Sequence, residues 1–375
     1  MDLNPQVSDM QVCFVLPTYN EEGNIKEIIQ DILAVEVDLG GPVFSILVVD
    51  DNSKDRTQEI VRGIILDNNA ISLITGDKQG LGDAYKRGIR FALDNLNPDI
   101  IFQMDSDGQH DAALIPHFLE ELNTGKDVVI GSRFIEGGET PDFSKRRLLI
   151  SRIGNFMVRY VGGVSHLRDC TSGFRAIRTS FLENCDFNFL STKGYSFQSS
   201  LICDLVWRGA VASEIPIIFN SRKDGDSKLS FEDQLEFLFN IPRLGFRNME
   251  DFIKYSIVGL SGVILNLGIY TLLTRYFEFS ELLAPIISIE SALISNFMLN
   301  NIWTFGKRSS VSRTRVKFLK FHLVSGFAAI INYLVFLVLL LSFGVYDILA
   351  NLIGIALAAA VNYLINSNWT WKNSK

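Results

Sequence analysis

The sequence predicts an α/β domain built on a mostly parallel, doubly wound sheet, followed by an all-α transmembrane domain of four helices in two repeated hairpins. Three observations predict it. Short apolar runs alternate with helix-forming stretches from residue 12 to residue 132, the pattern of strands and helices that builds a parallel sheet. Composition changes sharply near residue 250, after which long apolar stretches dominate and lift the mean hydropathy to +0.20. Beyond that point the chain also repeats itself. These shifts place the α/β domain at residues 1–229, an amphipathic juxtamembrane linker at 230–251 and the membrane domain at 252–375.

The first run, 12–16, reads as a strand, and Pro17-Thr18-Tyr19-Asn20-Glu21-Glu22 as the turn that opens a helix from about Asn24. A second run, 44–49, ends in Asp50-Asp51-Asn52-Ser53 ahead of a helix starting near Lys54. A third, 71–75, leads through Lys78-Gln79-Gly80-Leu81-Gly82 into a helix reaching Leu96. The fourth, 98–104, runs into Asp105-Ser106-Asp107-Gly108-Gln109-His110, and 127–132 is a fifth. In such sheets the ligand sits beyond the carboxyl ends of the strands. The polar groups after the first, second and fourth runs are therefore expected to converge on one crevice.

Two carboxylates one residue apart at a strand end can reach one divalent cation, although Asp-x-Asp followed by Gly also makes an ordinary turn. Asp50, Asn52 and Ser53 equally suit helix capping, being preferred N-cap types. A dinucleotide site is poorly supported, since Gly80-Leu81-Gly82 lacks the third glycine of G-x-G-x-x-G and no G-K-[ST] loop occurs. No basic tract points to nucleic acid, and the net charge of -7 averages two parts with different solvents. The four cysteines lie in the charged part without C-x-x-C spacing, which fits reduced thiols on a cytosolic domain. The polar, acidic residues 1–11 do not form a secretory signal.

Val15-Leu16-Pro17-Thr18-Tyr19-Asn20-Glu21, Val48-Val49-Asp50-Asp51-Asn52-Ser53-Lys54-Asp55-Arg56-Thr57, Asp105-Ser106-Asp107-Gly108-Gln109-His110 and Gly131-Ser132-Arg133 follow one another in the order and spacing of glycosyltransferase family two. Over residues 12–228 the chain resembles the dolichyl-phosphate mannose synthases and their polyprenyl-phosphate glucosyltransferase relatives. The resemblance implies the GT-A fold, which is Rossmann-like, and a nucleotide sugar used with Mg or Mn. It implies that Pro17, Tyr19, Glu21, Val49 and Asp51 hold the base and ribose, and that Asp105 and Ser106 line the nucleotide. It makes Asp107 and Gln109 the metal ligands, with Asp105 serving the nucleotide or a metal-bound water. Hard oxygen ligands suit either ion.

Residues 143–161 combine Lys145, Arg146, Arg147 and Arg152 with Phe, Leu and Ile, which suits a helix at a membrane face. A helix packed on the sheet with a solvated basic side is the other reading. The resemblance places Arg133 and Arg147 near the phosphate of a lipid acceptor and lets Asp169-Cys170-Thr171-Ser172-Gly173-Phe174-Arg175-Ala176 shape that side, with Ser172 at the phosphate. In the Gly-containing loop 221–228, Arg222 and Lys228 match residues that contact the diphosphate in the family. A solvated charged loop would look similar. The chain lacks a Q-x-x-R-W segment, the mark of processive relatives, so one sugar per turnover is expected.

Four segments are long and apolar enough to span a membrane: 253–273, 282–302, 318–341 and 348–365. A shift of 66 residues places Lys254 on Lys320, Asn266 on Asn332, Asn296 on Asn362, Asn300 on Asn366 and Trp303-Thr304 on Trp369-Thr370. The repeated asparagines are expected to bond between helices, and Trp303, Trp369 and Trp371 to anchor at the interface. Lys307, Arg308, Arg313, Arg315 and Lys317 fill the middle loop, whereas the outer loops hold Glu278, Glu281 and Asp347. The positive-inside rule then puts the middle loop, the N-terminal domain and the C-terminus in the cytoplasm. Glu290 falls inside the second span as either a functional carboxylate or a packed, protonated one. This part resembles the GtrA-like modules of some microbial dolichyl-phosphate mannose synthases.

The expected activity is transfer of one hexose, mannose from GDP-mannose, to a polyprenyl or dolichyl phosphate at the cytoplasmic face, with inversion and with Asp107, Arg133 and Arg147 as catalytic residues. Transfer of glucose from UDP-glucose, a lipid-linked-sugar translocase with a relic nucleotide domain, and a nucleotide-sugar sensor are the alternatives.

Overall fold

The computed structural model describes residues 10–183, 185, 187, 190, 192–194, 196–220, 231–306 and 313–371. Two compact units divide the chain, Met1–Asn248 and Met249–Lys375.

In the first unit all five predicted strands form: β1 (Gln11–Thr18), β2 (Val43–Asp50), β3 (Ile71–Thr75), β4 (Ile100–Gln103) and β5 (Val128–Ser132). Two more, β6 (Arg175–Arg178) and β7 (Ala212–Pro216), complete a seven-stranded sheet in the order β3-β2-β1-β4-β6-β5-β7. Every neighbouring pair is parallel except those made by β6, which runs antiparallel to β4 and β5. Both faces are covered. Val12, Phe14, Leu16, Phe44, Ile46 and Val48 point to one core, under α1 (Ile25–Leu39), α2 (Thr57–Asp67) and α4 (Ile115–Asn123). Cys13, Val15, Leu47 and Val49 point to the other, under α3 (Leu81–Asn95), α5 (Lys145–Val161), α6 (Thr179–Leu182), α7 (Ser196–Trp207) and α8 (Phe231–Asn248). Burial on both sides is why these strands read as unbroken apolar runs.

The helices follow from periodicity. In α1, Ile25, Ile28, Ile29 and Ile32 form one buried stripe, and Gly40 ends the helix at φ 60, donating its N–H to the Glu36 carbonyl. Sequence reading misses β6 because two of its four residues are arginines. Arg175 is nonetheless fully buried, donating from Nε to Ser172 O (2.8 Å), from one Nη to Gln198 O (2.6 Å) and from the other to Cys170 O (2.8 Å). Three carbonyls replace the lost water, yet burial still lowers the pKa to about 10.

Residues 231–248, read from sequence as part of a linker, form α8 and belong to the first unit, with Ile241 and Leu244 in its core. The buried carboxylate of Asp204 on α7 ties them there, accepting from Arg247 of α8 at 2.7 Å and from Arg208 at 2.6 Å. The reading of residues 143–161 as a helix packed on the sheet holds for one side of α5. Gly154, Asn155 and Val158 of α5 are buried, whereas Leu149, Phe156 and Tyr160 are exposed.

The second unit contains α9 (Glu250–Thr271), α10 (Ala284–Leu299), α11 (Thr314–Phe343) and α12 (Asp347–Ile365), with α9 packed on α10 and α11 on α12. Among the described residues three helices are long and apolar enough to cross a membrane: Glu250–Tyr276, Thr314–Phe343 and Asp347–Thr370. The remaining predicted span is helical as α10, which at 16 residues is shorter than α9, α11 and α12. The repeat is visible in three dimensions. Both hairpins end in a π-helical turn, Asn300–Thr304 and Asn366–Thr370, closed by Thr304 Oγ1 on Asn300 Oδ1 (2.8 Å) and by Thr370 Oγ1 on Asn366 Oδ1 (2.7 Å). Lys254 lies over Trp303 and Lys320 over Trp369.

Asn366 bonds between helices as expected, donating to Tyr255 Oη at 3.1 Å. Trp303 and Trp369 are about half exposed, but Trp371 is not an interfacial anchor: at 1% exposure it stacks on Phe305 and donates from Nε1 to Asn301 Oδ1. A large aromatic ring beside the repeat's own Phe305 gains more from a closed aromatic cluster than from a lipid headgroup. Glu290 has a partner that the linear sequence hides, His322 of α11, with Nε2 3.2 Å from Oε1.

Removing the Asp204 carboxylate leaves two arginines at a buried site without their counter-charge. Asp204→Ala is expected to destabilise the first unit by about 3–5 kcal/mol, read as a lower thermal-unfolding midpoint of the solubilised chain. Arg208→Ala, at the more exposed end of the pair, is expected to lose less.

Candidate functional site

The strand order turns back between β1 and β4, and the loops leaving their carboxyl ends part there to open a cleft. Its volume is ≈ 630 Å³. Pro17, Thr18, Tyr19 and Glu21 come from the end of β1, Asp51 from that of β2, and Asp105, Ser106 and Asp107 from that of β4. Seven of the residues predicted for a nucleotide sugar thus share one wall: Pro17, Tyr19, Glu21, Asp51, Asp105, Ser106 and Asp107. Val49 is fully buried beneath it.

The first two loops are laced together. Asn20 accepts from Lys54 N and donates its own N–H to Ser53 Oγ, while Glu21 N donates to Thr57 Oγ1. Asp50 turns inward, accepting from Ser53 N (2.9 Å), Ser53 Oγ (2.5 Å) and Gln58 Nε2 (2.6 Å). The helix-capping role considered for Asp50 is not the one it performs, since α2 begins at Thr57 with Arg56 at its N-cap; Asp50 holds the loop together, and Asp51 is the residue that lines the cleft. Burial raises the Asp51 pKa against the pull of Arg87, whose Nη lies 2.5 Å away.

Asp105 is fixed from behind. The Tyr85 hydroxyl donates to its Oδ1 at 2.8 Å, and burial, then the Asp105 charge, keep that phenol protonated by raising its pKa far above the usual value. Gly173 packs so close that a Cβ there would stand 3.0 Å from Asp105 Oδ2. His110 Nδ1 accepts the Asp105 N–H at 3.0 Å, which requires the tautomer protonated on Nε2. The ring stacks on Phe174, and burial lowers its pKa to about 4, so it is neutral near pH 7. Asp107 Oδ1 accepts from Gln109 N at 3.1 Å, and Gln109 Nε2 is tied to Asn220 O at 2.6 Å. Gln109 does not appear among the residues of the cleft wall.

A divalent cation would fit the carboxylates of Asp105 and Asp107. Among the described residues no three His, Cys, Asp or Glu side chains gather into a metal cage. Two carboxylates with substrate and water oxygens are nevertheless the usual holding for Mg.

Sequence reading missed two lysines of the cleft. Lys78 stands with Nζ 3.5 Å above the Tyr19 ring, and Lys193 donates to Gln79 Oε1 at 2.9 Å. Both lysines line the cleft with Gly80 and Gly194. Gly80 has φ 117, and a Cβ there would meet Lys193 O at 2.5 Å. That glycine is needed for the close approach of two backbones, which also explains why Gly80-Leu81-Gly82 resembles an incomplete dinucleotide loop. The signal for Lys193 was absent, because it lies 115 residues from Lys78 in a stretch without a motif.

Of the residues expected at the lipid phosphate, Arg133 and Arg147 come together at the Phe143 ring. Arg133 makes a two-pronged pair with buried Asp169, Nε to Oδ2 at 2.7 Å and Nη to Oδ1 at 2.8 Å, and also reaches Thr171 Oγ1. Burial would raise the Asp169 carboxyl, but Arg133 outweighs it and holds the pKa below the usual value. Arg133 and Arg147 flank one ring, their guanidinium carbons 6.0 and 3.9 Å from the centre of Phe143. Ser172 is buried, its Oγ accepting from Phe174 N. Arg222 and Lys228 lie outside the described residues.

The sequence pattern of Glycosyl transferase family 2 matches residues 13–185, and that of the GtrA/DPMS transmembrane domain matches residues 254–371. A dolichol-phosphate mannosyltransferase of Pyrococcus furiosus is 32% identical over 370 residues, covering 96% of this chain and 99% of its own length. The chain belongs to glycosyl transferase family 2. A polyprenol monophosphomannose synthase of Mycolicibacterium smegmatis is 34% identical over 243 residues, 63% of this chain and 88% of that protein. An undecaprenyl-phosphate mannosyltransferase of Micrococcus luteus is 33% identical over 242 residues, 63% of this chain and 94% of that protein. Among solved structures, glucosyl-3-phosphoglycerate synthase from Mycobacterium tuberculosis with Mn2+, UDP and glucosyl-3-phosphoglycerate aligns at 18% identity and a TM-score of 0.47, covering 64% of this chain and 80% of that one.

In this family 2 membrane glycosyltransferase the site is therefore a cleft lined by the carboxylates of Glu21, Asp51, Asp105, Asp107, Glu232 and Glu236 together with Lys78 and Lys193. The buried His110 supplies a test of the cleft's own packing. Its pKa lies lower in the folded chain (about 4) than the ordinary 6.5, so the unfolded chain binds the extra proton between those values. Stability is complete above pH 6.5 and falls with pH through that window, by at most about 3 kcal/mol. His110→Gln is expected to flatten this part of the stability–pH profile measured by thermal unfolding in metal-free buffer.

Proposed function

We propose that this chain transfers one mannose from GDP-mannose to the phosphate of a polyprenyl or dolichyl lipid at the cytoplasmic membrane face, inverting the anomeric centre. The observation that carries the reading is the convergence of Tyr19, Glu21, Asp51, Asp105 and Asp107 on one cleft that also holds Lys78 and Lys193. Such a mixture suits a nucleoside diphosphate, whose charge needs cations and whose ribose needs acceptors. The Pyrococcus and Micrococcus mannosyltransferases and the Mycolicibacterium phosphomannose synthase that the chain resembles support mannose as the sugar.

In this reading Pro17, Tyr19, Glu21, Val49 and Asp51 seat the base and ribose, while Asp105 and Ser106 line the diphosphate side. Tyr85 and Gly173 keep Asp105 from turning away. Mg or Mn, held by Asp107 with Gln109 and Asp105 at hand, would neutralise the departing nucleoside diphosphate. Lys78 and Lys193 supply further positive charge to the cleft, and Arg222 and Lys228 complete the expected set.

Arg133, Arg147 and Ser172 receive the acceptor phosphate. Arg133 is oriented by Asp169, so its planar fork is preorganised, and Arg147 rises from the start of α5. That helix exposes Leu149, Ile150, Ile153, Phe156 and Tyr160, a face suited to a lipid chain. A phosphate oxygen attacks the anomeric carbon as the bond to the diphosphate oxygen breaks on the opposite side. The acceptor is already anionic, so no general base has to remove a proton. Five basic residues between the hairpins, Lys307, Arg308, Arg313, Arg315 and Lys317, against the single Arg275 in the outer loops support the cytoplasmic placement and a fourth crossing by α10.

Purified chain offered GDP-mannose and UDP-glucose with a polyprenyl phosphate and Mg or Mn is expected to form the mannosyl lipid. Glucosyl product alone would overturn the donor. Asp107→Asn is expected to lower kcat on the order of 100-fold or more, and unchanged turnover at saturating metal would remove it from the reaction. Arg147→Ala is expected to raise KM for the lipid phosphate about tenfold or more, the loss of one charge-assisted hydrogen bond, with KM for the nucleotide sugar unchanged.

A further inference from the structure

Helix α8 reaches the cleft through the side chain of Glu236. Its carboxylate accepts from Lys193 N at Oε1 (2.7 Å) and from Gly194 N and Ser196 Oγ at Oε2 (both 2.9 Å). Those donors stand at the start of α7, where a helix leaves backbone N–H groups unsatisfied and a partial positive charge. Beside a nucleotide cleft such an end is suited to a phosphate. Here the chain's own carboxylate takes it, and the cations offered on this side of the cleft are lysine side chains.

Lys193 is where the neighbouring contacts converge. Its carbonyl accepts from Gly82 N (2.6 Å) and Asp83 N (3.3 Å) and so caps the start of α3, an approach that Gly82 permits by lacking a Cβ. Its ammonium has three N–H donors, of which Gln79 Oε1 takes one at 2.9 Å. Gln79 follows Lys78, whose Nζ stands over Tyr19. One residue thus joins the starts of α3 and α7, and Glu236 holds its backbone from behind. Both oxygens of Glu236 are occupied, so this carboxylate acts on a ligand through Lys193 rather than by touching it.

Glu236 is fixed in turn by the packing of its helix. Its bond to Ser196 is the first of three polar rungs between α8 and α7, followed by Asn240 Nδ2 to Ser200 Oγ and Arg247 Nη to Asp204 Oδ1, both at 2.7 Å. The two helices run in the same direction, since 236, 240 and 247 meet 196, 200 and 204 in that order. Of the three rungs, the first is the one that shares its carboxylate with Lys193. A substitution at the second rung therefore loosens α8 without releasing the lysine.

We propose that Glu236 is a positioning residue for the sugar donor: it sets the backbone at Lys193 so that the ammonium meets the diphosphate of a nucleotide sugar. That a nucleotide sugar occupies the cleft rests on the function proposed above. The test is a double-mutant cycle on the full chain in lipid nanodiscs, read as Kd for GDP-mannose and for UDP-glucose with Mg present. Lys193→Ala and Glu236→Gln are each expected to raise the donor Kd about tenfold, the weight of one charge-assisted hydrogen bond, with KM for the lipid phosphate unchanged. Combined, they are expected to raise it no further than either alone, because a residue that acts through an ammonium has nothing to act on once that group is removed. Additive effects, about a hundredfold together, would overturn the proposal, as would an unchanged donor Kd in either single variant. Asn240→Ala is expected to lower the thermal-unfolding midpoint and leave the donor Kd alone. A donor Kd raised there as much as in Glu236→Gln would make Glu236 a mere fastening of α8 and overturn its positioning role. Should Glu236→Gln not fold, the cycle is run with Glu236→Asp, which keeps the charge on a shorter stem, and the same outcomes decide. A chain that binds donor tightly and is indifferent to Glu236 loses this residue and keeps its proposed function; one that binds neither nucleotide sugar loses both.

Discussion

The parallel pairing of β1 with β2 on one side and β4 on the other is the constraint on which the catalytic unit depends. It runs in register from Gln11 opposite Val43 to Thr18 opposite Asp50, and from Val12 opposite Ile100 to Val15 opposite Gln103. Because the order reverses at β1, the chain leaving β1 turns towards β2 and the chain leaving β4 turns the other way, towards β5, although α1 and α4 cover the same face. The gap between them cannot be filled by a crossover helix. Whatever side chains follow those strands must line that gap, and here they are Thr18, Tyr19, Asp105, Ser106 and Asp107. The hydroxyls of Thr18 and Ser106 meet across it at 3.1 Å, so the two loops are stitched at the floor and diverge above.

Carboxylates gathered in this way repel one another, and the unit answers with cations placed by distant parts of the chain. Arg87 reaches Asp51, Tyr85 donates to Asp105, and Lys78 and Lys193 stand in the same cleft. Glu236 of α8 in turn accepts from the backbone of Lys193 and Gly194 at 2.7 and 2.9 Å. Helix α8 is thus part of the cleft's support. The Asp204 pairs that fasten it have a consequence for the site as well as for stability. A neighbouring stack runs from His110 to Phe219, on to Arg133 and Phe143 and finally to Arg147. It connects the carboxylate corner with the arginines while keeping water from the ion pair between Arg133 and Asp169.

The membrane unit is organised by a different principle. With lipid around it there is little hydrophobic gain in packing one apolar helix on another, so close approach and polar contacts decide which faces meet. Gly262 and Gly354 give the approach, and Asn366, Asn301 and the two threonine-closed π turns give the contacts. Duplication of one hairpin supplied both copies of these groups. The copies then diverged: Asn362 accepts from Asn366, whereas the Oδ1 of its counterpart Asn296 is buried without a partner.

Local pattern was sufficient for the five strands, the membrane helices, the repeat and the carboxylate wall, because each is written in contiguous residues: apolar runs, a 66-residue shift, motifs at strand ends. It was also sufficient to bring Pro17, Tyr19, Glu21, Asp51, Asp105, Ser106 and Asp107 to one place, since in a parallel sheet every such motif lies at the same edge. Only the tertiary structure decided what depends on residues far apart in sequence. It hid β6 behind the buried Arg175, whose carbonyl partners no local rule predicts, moved Trp371 from interface to core, and paired Glu290 with His322. It brought Lys78 and Lys193 into the cleft that holds the carboxylates, and it gathered Asn296, Asn332 and Asn362 from three helices around one groove. Burial and long-range partners determine the meaning of a polar residue, and neither is a property of its neighbours in the chain.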